Sequence, residues 1–281
     1  MPRGLFVIGS EPRAGCTTVS TALVAALRGR GRRVGVLKPV AVGCGLDAAV
    51  SGGVTVGGIP GKQDALSLAA LSRLSDVAGP PPATLSGPTA REALRADEAR
   101  RLLAASGSQL PVDTVNPYRF APDLEPAAAA RAANVSIDLE LVHRCFDEAA
   151  RGREAVVVDG GVGPLVPLNE RQTLLDLVAA LGLPVVLVVP SRPWAAINPT
   201  LLTVEVLRAR GVTLAGLVLN RRDRVLRPEE AVNPYQIEEH AGALVRGLLP
   251  FLEMEQLEPV RLAERLEVHV DLDGILEAGD G

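Results

Sequence analysis

The chain has 281 residues, a net charge of −4, and is 47% hydrophobic with only 2% aromatic residues. That length suits one large α/β domain or two small ones, and with no repeat or clear boundary it is read as one unit spanning 1–281 with a core of Val, Leu, Ile and Ala, while the mild acidity argues against a nucleic-acid surface. No apolar run reaches the roughly 20 residues of a membrane span, and the first residues run into a glycine loop without the pattern of a secretion signal.

In chain order, the first element expected is a buried strand over 5–8, reading LFVI, which ends in Gly9. A short loop follows, and Gly15-Cys16-Thr17-Thr18 opens a helical pattern over 17–27. Strand, glycine-bounded turn and helix start make up a P-loop, whose backbone N–H groups and helix dipole favour phosphate. The glycine spacing fits a loop one residue longer than the common form, but Cys16 stands where that form carries Lys. The other reading of Gly9 to Thr18 is a β–α turn with no ligand. Thr17 occupies the Ser/Thr position that ligates Mg²⁺ in such loops.

Further apolar runs over 34–37, 155–158, 184–189 and 214–219 read as strands buried on both faces. Helical patterns over 139–151, 173–181 and 200–210 separate them, and two more are expected near 64–75 and 90–105. This alternation predicts a three-layer, doubly wound, mostly parallel sheet of P-loop NTPase type. Residues 43–63 and 79–90 read as Gly- and Pro-rich flexible loops, and 257–278 as a C-terminal helical segment.

Four places carry chemistry. The first is the phosphate loop. Lys38 ends the second strand, where a side chain faces the crevice in which open α/β folds bind ligands. Asp159 ends the run VVVD ahead of Gly160-Gly161-Val162-Gly163, a strand end suited to a Mg²⁺-linked carboxylate. Asp64, at the expected helix start KQDAL, is either a second metal carboxylate or a residue that complements the helix dipole. Asn198-Pro199 reads as an N-cap followed by the first helical position, whose free N–H groups suit a carboxylate. Cys16, Cys44 and Cys145 form no metal-binding or disulfide pattern, which fits a reduced, cytoplasmic protein. At the helix start Cys16 is either a thiol of lowered pKa or a small residue that fits the turn.

VIGSEPRAGCTTVSTALVAALRGRGRRVGVLKPVAVG, DTVNPYRFAPDLEPAAAARAAN, VVVDGGVGPLVPLNERQTLLDL and LPVVLVVPSRPWAAINPTLLTVEVLRARGVTLAGLVLN stand in this order. Together they resemble dethiobiotin synthetase, the ATP-dependent carboxylase of biotin synthesis. TVNPY is more specific than any glycine loop, and the related cobyrinic acid diamide synthases and partition-type ATPases do not share it. The resemblance implies ATP and Mg²⁺ as cofactors, 7,8-diaminopelargonate and CO₂ as substrates, and a homodimer. It implies a carbamate whose oxygen attacks the γ-phosphate, after which the second amine closes the ureido ring. It assigns Lys38 to the reacting centre; Arg13, a departure from the family pattern, is read as a candidate replacement for the lost phosphate charge. Gly9, Gly15, Cys16, Thr17, Thr18, Asn220 and Pro250 fall to the nucleotide, and Thr17, Asp64 and Asp159 to the metal. Val42, Gly161, Gly163 and Asn198 fall to the substrate, with Asn198 supplied by the partner subunit. The family loop resembles G-T-D-T-x-V-G-K-T. Here Cys16 replaces Lys, Pro12 replaces Thr and Arg13 stands where Glu is frequent. Val42 replaces a Ser, and Asp159 is one methylene shorter than the family's Glu. These departures leave a second reading open: a catalytically weakened homologue that binds a nucleotide or metabolite as a regulatory protein.

Overall fold

The computed structural model describes residues 3–45, 94–192, 196–225, 227, 228, 230 and 233–278. The expected helix near 64–75, the 79–90 connection, most of the 43–63 segment and Asp64 lie outside them.

Among the described residues six strands form the main sheet: β1 (Arg3–Gly9), β2 (Val34–Leu37), β5 (Ala155–Asp159), β6 (Val185–Ser191), β7 (Leu214–Arg221) and β8 (Val245–Leu249). Their order is β2-β5-β1-β6-β7-β8, and every neighbouring pair is parallel. The strands β3 (Val40–Ala41) and β4 (Tyr118–Arg119) make a separate parallel pair.

The apolar runs are continuous because both faces of the sheet are covered. Along β1, Leu5 and Val7 enter one apolar cluster while Phe6 and Ile8 enter the other. This is the two-residue alternation of a strand with a core on each side. The Leu5 side is closed by α1 (Cys16–Gly29), α2 (Asp97–Ser106), α9 (Pro259–His269) and α10 (Leu272–Ala278). The Phe6 side is closed by α4 (Pro126–Ala132), α5 (Leu139–Ala150), α6 (Leu174–Leu181), α7 (Ile197–Ala209) and α8 (Asn233–Ala241). A single turn, α3 (Val112–Val115), precedes β4. The three-layer α/β expectation is met.

Several boundaries differ. The helix expected over 90–105 runs from Asp97 to Ser106 and ends on Gly107 at φ 66, where glycine tolerates the left-handed turn. β8 was not foreseen: Arg246 and Gly247 interrupt its apolar pattern, and it is an edge strand, where a half-exposed strand need not be wholly apolar. The expected N-cap at Asn198 is corrected. The helix starts at Ile197, and the Ala196 carbonyl accepts the Thr200 amide at 3.3 Å. Asn198 is therefore inside the first turn, with its side chain exposed. A buried Ala196 and a buried Thr200, whose hydroxyl also bonds the Ala196 carbonyl at 2.5 Å, draw the helix start back by two residues.

Candidate nucleotide and phosphoryl-transfer site

The strand order places β1 between β5 and β6, so the chain leaves β1 at the point where its connections diverge to opposite sides. In open α/β sheets this is the ligand crevice. A cavity of about 900 Å³ opens there, lined by Arg13, Gly15, Cys16, Thr17 and Thr18 of the loop, by Lys38 and Val42, and by Asn220 and Pro250 across the sheet.

The loop conformation is held from outside. Gly15 has φ 98, and a Cβ there would collide with the Asn220 amide, so glycine is required twice over. The Asn220 amide donates to the Ala14 carbonyl at 2.9 Å, and the Arg222 guanidinium donates to the Arg13 carbonyl. Two successive carbonyls are thus turned toward the end of β7, and the first amides of α1, which lack helical partners, are left to the cavity.

At the floor of the cavity a charged network is withdrawn from water. Lys38 is 3% exposed and Asp159 is wholly buried. The Lys38 ammonium lies 3.1 Å from Asp159 Oδ2 and 3.0 Å from Glu98 Oε2. The Thr17 hydroxyl donates to the same Asp159 oxygen at 2.7 Å. Burial disfavours the Lys38 ammonium, but Asp159 and Glu98 outweigh it and push its pKa up, so Lys38 is charged throughout the neutral range. Burial also lifts Asp159 above the usual carboxylate range, against the pull of Lys38. For Glu98, burial is opposed by the charge and hydrogen bonding of Lys38, which hold it below the usual carboxylate range.

Lys38 is aimed by the TVNPY segment. Its amide bonds the Val115 carbonyl at 2.7 Å. The wholly buried Asn116 donates to the Lys38 carbonyl at 2.7 Å and to the Tyr118 carbonyl at 3.0 Å. Gly161, at φ 74, passes so close that a Cβ would lie 2.6 Å from the Lys38 ammonium.

Cys16 is buried, and desolvation, reinforced by Asp159, pushes its thiol up. The lowered-pKa alternative is therefore corrected: Cys16 is a neutral thiol in the turn. Arg13, at φ 61, pairs with Asp123 at the exposed rim of the cavity, so its guanidinium lies away from the loop amides in this structure. Gly9 hydrogen-bonds Val162 from the end of β1, and Gly163 lies beside the Gly9 carbonyl. Asn198 is not among the residues that line this cavity.

Glu98 was missed. It stands at the start of α2 beside Asp97, 60 residues from Lys38, and nothing local separates it from a helix-start acid. No signal along the chain marks it, because its encounter with Lys38 follows from the packing of α2 on β2 and α1.

Among the described residues no three His, Cys, Asp or Glu side chains gather. The oxygen donors near the loop are the Thr17 hydroxyl, Asp159 and Glu98. Asp159 Oδ1 is buried with no hydrogen-bond partner. An orphaned carboxylate oxygen beside a hydroxyl suits a hard cation that keeps further ligands for phosphate and water.

A family model described as AAA domain matches residues 3–261. Proteins named ATP-dependent dethiobiotin synthetase are similar over most of their length. The one from Anaeromyxobacter dehalogenans strain 2CP-C is 37% identical over 89% of this chain and 90% of its own. The one from Nitrosospira multiformis is 32% identical over 89% of each. Among solved structures, the septum site-determining protein MinD with Mg-ADP from Pyrococcus horikoshii OT3 has a TM-score of 0.50. It is 15% identical and covers all of this chain and 95% of that one, a likeness of fold. No helix among the described residues is long and apolar enough to cross a membrane. The shared length and identity establish that this chain belongs to the dethiobiotin synthetase family of P-loop α/β proteins.

Proposed function

We propose that this protein is an ATP- and Mg²⁺-dependent dethiobiotin synthetase of the cytoplasm, which carboxylates 7,8-diaminopelargonate with CO₂ and closes the ureido ring. The observation that carries this reading is the buried Lys38 ammonium, fixed between Asp159 and Glu98 beside the first turn of α1. Phosphoryl transfer needs positioned positive charge more than covalent help from the protein. One substrate amine adds to CO₂ and loses a proton to give a carbamate. A carbamate oxygen displaces ADP from the γ-phosphate, forming a carbamic–phosphoric anhydride. The second amine attacks the carbamoyl carbon, and inorganic phosphate leaves.

Lys38 neutralises the oxygens that gain charge in the phosphoryl step, and its two carboxylates and Asn116 prevent it from swinging away. The loop amides orient the phosphates. Asn220 and Pro250 border the end of the cavity where the base would lie. Thr17, Asp159 and Glu98 would hold Mg²⁺, which supplies charge stabilisation to the phosphate oxygens. Asp64 remains a proposed carboxylate for the same ion. Val42, Gly161 and Gly163 border the diamine. In a twofold dimer the first turn of α7 around Asn198 would offer its amides to the partner's substrate carboxylate, and light scattering with a solution structure tests that assembly. A monomer, or a dimer through another face, removes Asn198 from the site.

The neutral Cys16 favours a second reading, a nucleotide-binding protein with little turnover. Purified protein incubated with diaminopelargonate, bicarbonate and MgATP separates the two. Dethiobiotin and phosphate formed in equal amounts support the enzyme, and the Lys38→Ala variant should then lose about 10²–10³ in kcat with ATP affinity nearly kept. ATP binding without product supports the second reading.

A further inference from the structure

A P-loop whose lysine is replaced by a buried neutral thiol has lost a positive charge beside the phosphates, and the remaining cations around the cavity are unequal candidates to replace it. Lys38 is held by two carboxylates. Arg13 pairs with Asp123, and Arg221 lies 3.5 Å from the buried Glu230. Arg222 also lines the cavity but is engaged with the Arg13 carbonyl of the loop. Arg101 lines the same cavity, is exposed, and makes no ion pair or hydrogen bond with another described residue.

Its place on α2 says where it points. Arg101 follows Glu98 by three residues, so the two share a helix face. That face is oriented by Glu98, whose carboxylate reaches the Lys38 ammonium. Long helical side chains lean toward the N-terminus of their helix, which carries Arg101 back toward Glu98 and the first turn of α1.

We propose that Arg101 supplies, from outside the loop, the phosphate-binding charge that Cys16 lacks. The inference rests on the nucleotide reading of the cavity and goes beyond it. A planar guanidinium binds two phosphate oxygens at once, which a loop lysine does not. α2 therefore delivers two groups to one nucleotide: Glu98 toward the reacting end and Arg101 onto the phosphate chain.

Calorimetry with MgATP on the full chain tests this with Arg101→Ala, Arg101→Lys, Arg222→Ala, Cys16→Lys and the Cys16→Lys/Arg101→Ala pair. Arg101→Ala should weaken MgATP binding about ten- to a hundredfold, the range of a hydrogen bond to a charged group. Arg101→Lys should recover part of this loss, and adding Cys16→Lys should recover most of it, because a loop lysine restores charge at the same oxygens. Adenosine, which has no phosphates, should bind both Arg101 variants like the parent. Unchanged MgATP binding by Arg101→Ala overturns the proposal, as does a loss that Cys16→Lys does not repair. A larger, lysine-repaired loss in Arg222→Ala overturns it too. Parent protein that binds no MgATP removes the nucleotide reading and this inference together, whereas parent binding with an indifferent Arg101 removes the inference alone.

Discussion

The two flanks of the cavity solve the problem of holding charge in different ways. On the β2–β5 flank, Lys38 and Asp159 are withdrawn from water and paired with each other, the half-buried Thr17 donates to the same Asp159 oxygen, and Asn116 braces the backbone behind them. On the β7–β8 flank, Pro250 and Phe251 are half-buried, Arg222 is exposed, and Arg224 lies over the Phe251 ring at 5.7 Å from its centroid. On the buried flank each group, once desolvated, depends on its partner. The open flank keeps its charges in water, where a lost partner is replaced by solvent. The first suits a reacting centre that must not reorganise, and the second suits a surface that admits and releases a nucleotide.

The sharpest way to break this comparison is Asp159→Ala. It leaves the buried Lys38 ammonium with the half-exposed Glu98 alone, and removing one partner of a buried pair costs about 3–5 kcal/mol. Urea unfolding should show that loss, and a cost below about 1 kcal/mol would mean that the flank is hydrated in solution.

Asn116→Ala is the next largest. The Lys38 and Tyr118 carbonyls lose their donor in a dry environment, at about 1–3 kcal/mol. Because the lysine is displaced with them, kcat should fall more than ATP affinity. An unchanged kcat would free Lys38 from its dependence on the motif.

The Glu98–Lys38 contact sharpens the comparison through pH. Glu98 is held below the usual carboxylate range. Its contribution is therefore fully present above the ordinary glutamate value and is lost as pH falls through its lowered value in the fold. Glu98→Gln should flatten the acid limb of the unfolding midpoint against pH between these two values and leave its shape across the neutral range alone. Parallel acid limbs in parent and variant would show that the contact does not persist in solution.

The smallest effect is expected at the open rim. Arg13 and Asp123 are both mostly exposed, so Arg13→Ala should change stability by about 0–1 kcal/mol, and the midpoint of thermal unfolding should barely move. A larger loss would reveal that the rim pair holds the loop itself.

Sequence alone determined the layered α/β architecture, because a strand buried on both faces must be a continuous apolar run and a helix between two such strands must repeat at its own period. It also located the loop, Lys38 and Asp159, since each lies at the end of its own strand, and a strand end is a local property. Tertiary structure alone decided the partners. Glu98 and Lys38 are far apart in the chain, and their encounter follows from packing of α2 on β2 and α1. The start of α7 was moved by burial of Ala196 and Thr200, against the local preference for Asn198 as a cap. The state of Cys16 followed from desolvation and the charge of Asp159, and neither can be read along the chain, because both depend on which residues fold around the thiol.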